Sequence, residues 1–130
     1  MSKEKAKKAT FEDLIKKKLQ KEKDQFRTKD IYVSSMDKVL IFKKPKDDLI
    51  LDIIDEIGDQ QDIRKMVEAF KKLIYMCCDM LQDTELHKQL EVVDPFDTIK
   101  KLFDLGEIME IGEQLMDLIN IGGKAEEIKN

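Results

Sequence analysis

The stretch IYVSSMDKVLIF, residues 31–42, decides the fold. It is dense in Ile, Tyr, Val and Phe, side chains that suit a pleated strand, and SSMDK between the two apolar runs supplies turn residues. The spacing predicts strands over Asp30–Ser34 and Lys38–Lys43. Ile31 and Val33 point to one face of the first strand, Tyr32 and Ser34 to the other. In the return strand Val39 and Ile41 share one face, Leu40 and Phe42 the other. That strand is apolar on both faces, which implies cover by helices on one side and a second chain on the other. A lone hairpin is marginal in water, so it must pack on something.

The sequence on either side of it reads as helix. Thr10 is an N-cap with Asp13 three residues on, an acidic form of the capping box. The helix that follows carries Phe11, Leu14, Ile15 and Leu19 on one stripe, extended by Phe26. The stripe is thin, because Lys18 and Glu22 interrupt it. Such a helix has little to hold it to a core and is free to dock on another chain. After the lysines and proline at 43–45, Asp47 and Asp48 open a helix bearing Leu49, Ile50, Ile53, Ile54 and Ile57, with Gly58 as its C′ residue. From Gln60 to about Leu81 apolar residues recur at steps of three and four, which marks the central helix. A short helix is expected around Glu85–Leu90. Asp94-Pro95 signals another start, with Asp94 as N-cap and Pro95 at N1. A break near Gly106 separates that helix from a last one bearing Ile108, Ile111, Leu115, Leu118 and Ile119, which ends at Gly122-Gly123. The reading is α+β, mainly α: a flexible basic tail at 1–9, a single helical domain at 10–123 with its hairpin at 30–43, and a polar tail at 124–130.

The chain has 130 residues, 40% of them charged and 42% apolar. That apolar content is too high, and too well patterned, for a disordered chain. The formal net charge of −4 is unevenly placed. Residues 1–29 hold 11 Lys/Arg against 5 Asp/Glu, and the remainder holds 13 against 23. The basic segment is therefore suited to an acidic surface, its own or a partner's. Nucleic acid is a weaker expectation, because the acidic remainder repels phosphate. No segment approaches the roughly 20 apolar residues needed to cross a bilayer. No apolar run follows the basic start, as a signal peptide would require. A cytoplasmic protein is expected, with Cys77 and Cys78 reduced.

No motif supports catalysis, and no cofactor or metal is expected. Cys77 falls on the apolar stripe and Cys78 beside it, so both read as buried thiols. The single histidine, His87, has no partner at metal-ligand spacing. The carboxylates of 47–59 lie opposite the Leu49/Ile53 stripe or at helix ends. The glycines match neither a phosphate-binding loop nor a dinucleotide fingerprint. Methionine is the softer signal, since its flexible thioether adapts to varied surfaces. Partner-binding candidates are Tyr32, Met36, Leu40 and Phe42 in the hairpin, Met76 and Met80 beside the central helix stripe, and Met109 and Met116 on the last helix.

The order of features adds a resemblance. FEDLIKKKLQKEKDQF, DIYVSSMDKVLIFKKP, DDLILDIIDEIG and DPFDTIKKLFDLGEIMEIGEQLMDLIN follow one another along the chain. From about Phe11 to Gly122 this resembles the XkdN-like tail assembly chaperones of Gram-positive phages and defective prophages. The family's hairpin turn often holds a glycine, whereas SSMDK has none. The resemblance implies a non-enzymatic protein of the host cell cytoplasm during virion assembly. Its partner would be the tape measure protein, held soluble until tail polymerisation, with the tail tube protein as a second candidate. Weak self-association along such a long client is also expected. The alternative is a small regulatory or nucleic-acid-binding module using the basic N-terminal segment.

Overall fold

The computed structural model describes residues 6–58 and 62–119. The fold is mostly helical with one antiparallel hairpin. In chain order the elements are α1 (Phe11–Asp24), β1 (Thr28–Val33), β2 (Lys38–Lys43), α2 (Asp47–Ile57) and α3 (Ile63–Cys77). A 3-10 turn at Asp79–Gln82 follows, then α4 (Thr84–Gln89), α5 (Asp97–Leu102) and α6 (Leu105–Leu118).

α3 is the hub. It packs on α2, on α5 and most extensively on α6. Ala69, Phe70, Leu73, Ile74 and Cys77 form its buried stripe. The closest approach is at Gly112 of α6. A Cβ there would stand 2.3 Å from ring carbons of Phe70, so only a residue without a side chain lets the two helices meet at this depth. The hairpin lies over α3 and α6. Ile31, Val33, Leu40 and Phe42 enter the core, in register as Ile31 opposite Leu40 and Lys29 opposite Phe42. The hairpin runs antiparallel to α6. Near the turn the Ser35 hydroxyl donates to the Glu107 carboxylate at 2.6 Å. Near the open end Lys29 Nζ donates to the Gln114 carbonyl at 3.5 Å.

The turn explains how SSMDK manages without glycine. Asp37 takes the left-handed conformation, φ 52°, which Asp tolerates better than most residues. Its carboxylate accepts a hydrogen bond from the Tyr32 hydroxyl at 2.7 Å, and this bond raises the Tyr32 pKa above its ordinary value. The Met36 and Asp37 amides donate to the Val33 and Ser34 carbonyls, which closes the loop.

Three helix boundaries differ from the sequence reading. The central helix stops at Cys77 rather than Leu81, because Cys78 turns extended at φ −125°, ψ 108°. The Gln82 side-chain amide then donates to the Tyr75 and Met76 carbonyls at 3.0 and 3.2 Å. Those carbonyls would otherwise be orphans of the helix end. Leu81 is buried all the same, which is why its spacing looked helical. The expected start at Gln60 lies outside the described residues. Asp94-Pro95 forms a turn in which Asp94 accepts from the Phe96 amide at 3.0 Å, and α5 begins at Asp97. The last break falls at Phe103, not Gly106. Asp104 and Glu107 form a reciprocal capping box, so Gly106 sits inside the first turn of α6. The expected end at Gly122-Gly123 and the tail at 124–130 lie outside the described residues.

α1 forms where its caps predict. The Thr10 amide donates to Asp13 at 2.8 Å, and the Asp13 amide to the Thr10 hydroxyl at 3.2 Å. These hydrogen bonds hold the Asp13 pKa below the usual carboxylate value. None of its residues is buried. Its base is tied to the end of the hairpin: Asp24 pairs with Lys44, and the Lys44 amide donates to the Arg27 carbonyl at 2.9 Å.

Candidate functional site: the outer face of the hairpin

A strand with one buried face normally turns polar side chains to water. Here Tyr32, Val39 and Ile41 face outward, between half and two-thirds exposed. Tyr32 stands directly opposite Val39, and Ile41 opposite Asp30. The register therefore gathers an aromatic and two β-branched side chains into one patch on a pleated surface. β1 and β2 pair only with each other, so among the described residues neither outer strand edge carries a further strand. Such edges can accept an extended segment, and the apolar face a helix.

The eight partner candidates divide. Tyr32 lies in the patch. Met36 is exposed in the turn at one end of it. Met76 and Met80 are exposed too. Met76 lies near the end of α3 and Met80 within the 3-10 turn, whose Asp79 pairs with Lys43 at 2.7 Å at the hairpin's open end. The exposed methionines thus sit beyond opposite ends of the hairpin, not in one groove. Met109 and Met116 are half-buried against the core. Leu40 and Phe42 require a correction. They are 6% and 0% exposed and are core residues, because β2 turns its Leu40/Phe42 face toward the helices. The outward apolar positions of β2 are Val39 and Ile41, whereas the sequence reading gives the outward role to Leu40 and Phe42 and leaves Val39 and Ile41 for the core side. Alternation alone could have flagged the pair, but not which pair faces out.

The remaining chemical groups are engaged structurally. Cys77 and Cys78 are buried free thiols. Burial pushes the Cys77 thiol up to about 12, and burial likewise raises Cys78. His87 Nε2 donates to the Leu81 carbonyl at 2.9 Å, which ties α4 to the 3-10 turn. Its ring stacks on Tyr75, centroids 5.9 Å apart, and Tyr75 meets Phe96 edge-on at 5.0 Å. Among the described residues no three His, Cys, Asp or Glu side chains are placed to hold a metal ion, and no helix is long and apolar enough to cross a membrane. Lys17, Gln20, Lys21, Lys23 and Asp24 of α1, with Arg27 just beyond it, line an open, shallow concavity.

Comparison with protein-family models, with curated proteins and with solved structures gives no match to this chain.

Proposed function

We propose that this protein is a non-enzymatic phage tail assembly chaperone, which binds the tape measure protein and keeps it soluble. The observation that carries the reading is the outward Tyr32/Val39/Ile41 patch, placed on a sheet whose other face is already filled by the core. A long, apolar-rich helical client needs a rigid apolar surface that hides its stripe until assembly. The ordered resemblance along Phe11–Gly122 supports the same reading. The test is co-expression with a phage tape measure protein. The client is expected in the soluble fraction with the native chain and in the pellet with Tyr32→Ser/Ile41→Ser. A client equally soluble without this chain overturns the reading.

The concavity lined by Lys17, Lys21, Lys23 and Arg27 favours a second reading, a module that binds nucleic acid through α1. It requires affinity for RNA or DNA that falls steeply with salt and disappears in Lys17→Glu/Lys21→Glu. Absence of binding at low salt removes it.

A further inference from the structure

α1 presents a problem that its own chain does not solve. Phe11, Leu14, Ile15 and Leu19 are between 44% and 77% exposed. A helix of 14 residues with every apolar side chain in water is marginal alone. At 3.6 residues per turn, Lys17 and Lys21 border the stripe on one side, and Glu12, Lys16 and Lys23 on the other. Lys18 and Glu22, which interrupt it, neutralise each other at 3.5 Å. The surface offered is an apolar line with a row of cations, Lys17 and Lys21, along one edge and a mixed row along the other.

The complementary surface lies on α2. One stripe of α2 enters the core through Ile53 and Ile57. Beside it runs a second stripe of Ile50, Ile54 and Leu51, with Leu51 63% and Ile54 44% exposed. Asp47 lies within that stripe, and Asp48 and Asp55 lie along its edge. α2 contains no Lys, Arg or His, so its outward side is an apolar line bordered by anions alone. The chain's own α1 does not cover this face. Every residue from Phe11 to Lys23 is exposed, and the Asp24–Lys44 pair fixes the base of α1 to the hairpin.

We infer that α1 of one copy docks on the α2 face of a second copy. Apolar stripe meets apolar stripe, and Lys17 and Lys21 meet Asp48 and Asp55. The pairing of unlike charges steers the encounter and sets the register. Each copy carries both the arm and its receptor, so the contact is heterologous unless two copies exchange arms and close it. This inference is independent of the client reading, because it uses neither the hairpin patch nor the tape measure protein.

The experiment uses the full chain. Leu14→Cys and Leu51→Cys are made in separate chains; both positions are exposed, so folding is spared. Mixed under mild oxidation, the two chains are expected to give a disulfide-linked heterodimer, a product that arises only between copies. Buried Cys77 and Cys78 stay out of this reaction. Sedimentation over a concentration series should show self-association that weakens with salt. Lys17→Glu/Lys21→Glu should weaken it at least about tenfold, and adding Asp48→Lys/Asp55→Lys to that chain should restore it. A native chain that stays monomeric throughout overturns the inference. So does a link that forms only within a chain carrying both new cysteines. Binding of the monomer to anionic phosphatidylserine vesicles, lost in Leu14→Ser/Leu19→Ser, would assign the arm to a lipid surface and overturn it too.

Discussion

α1 and α6 are each 14 residues long, and each begins with a reciprocal capping box. One buries nothing. The other buries Ile108, Ile111, Gly112, Leu115 and Leu118. Their local signals for starting a helix are nearly the same, so capping does not decide where a helix goes. The width of the apolar stripe does. α1 has four large apolar residues with a charged pair set among them. α6 has seven, and a glycine where Phe70 must pass. Docking follows the area that can leave water, at roughly 25 cal/mol per Å². A stripe too narrow to repay the loss of side-chain freedom stays outside.

The contrast can be broken hardest in the core. Phe42→Ala should cost about 4 kcal/mol of unfolding free energy by urea titration, the loss expected for a fully buried aromatic. Leu14→Ala on α1 should leave the global midpoint unchanged. For the same reason Leu40→Ser/Phe42→Ser should unfold the chain, whereas Tyr32→Ser/Ile41→Ser should fold normally and lose only partner binding. Gly112→Ala should follow, costing about 3 kcal/mol or more, because the new methyl would fall on the Phe70 ring and both neighbours are backbone-fixed helices. A milder result would mean that α3 and α6 can slide apart.

The two capping boxes sharpen the contrast at lower energy. Asp104→Ala should lower global stability by about 1 kcal/mol, since α6 is part of the core. Thr10→Ala should reduce helical circular dichroism at 222 nm, a wavelength that reports roughly on backbone helix, without moving the global midpoint. α1 opens locally and on its own. Acid should act in the same way. The Asp13 carboxyl is held below its usual value by Thr10, so its support of α1 is present above the ordinary carboxylate pKa and is lost as pH falls through the lowered one. Helicity should drop at acid pH before the core unfolds.

Alkaline pH tests the core side. The Cys77 thiol is raised from 9.0 to about 12. Its buried neutral form costs nothing below pH 9, and stability should decline as pH rises from 9 towards 12, where only the unfolded chain ionises readily. Cys77→Ala should flatten that decline, and thiol reagents should label the folded chain slowly near neutrality. The smallest effect is expected at Thr98. It is fully buried, and its hydroxyl finds no partner among the described residues. Thr98→Val should be neutral or stabilising by up to about 1 kcal/mol.

Much of the fold was legible in local chemistry. The Thr10 cap, the acidic first turn of α2, Gly58 at its end and the two hairpin runs stand where sequence rules place them. Each depends on neighbours within four residues. The misplaced boundaries have a common cause. The helix reading ran through Cys78 because Leu81 keeps the apolar step, and only the Gln82 side chain reaching back to Tyr75 and Met76 shows that the chain has turned. The start of α6 depends on Asp104 and Glu107, three residues apart, and not on Gly106 between them.

The sequence by itself determined that this is a helical protein with one hairpin, an aliphatic core and an N-terminal helix too thinly apolar to join it. Periodicity and capping act over a few residues and need no knowledge of the fold. Only the tertiary structure decided which side of β2 is inside. Both faces of that strand are apolar, so burial of either satisfies the strand. The choice falls to β1, which carries Ile31 and Val33 on one face and only Tyr32 on the other, so pairing Ile31 with Leu40 sets the larger apolar group against α3 and α6. The larger apolar face therefore turned Leu40 and Phe42 inward and left Val39 and Ile41 in water.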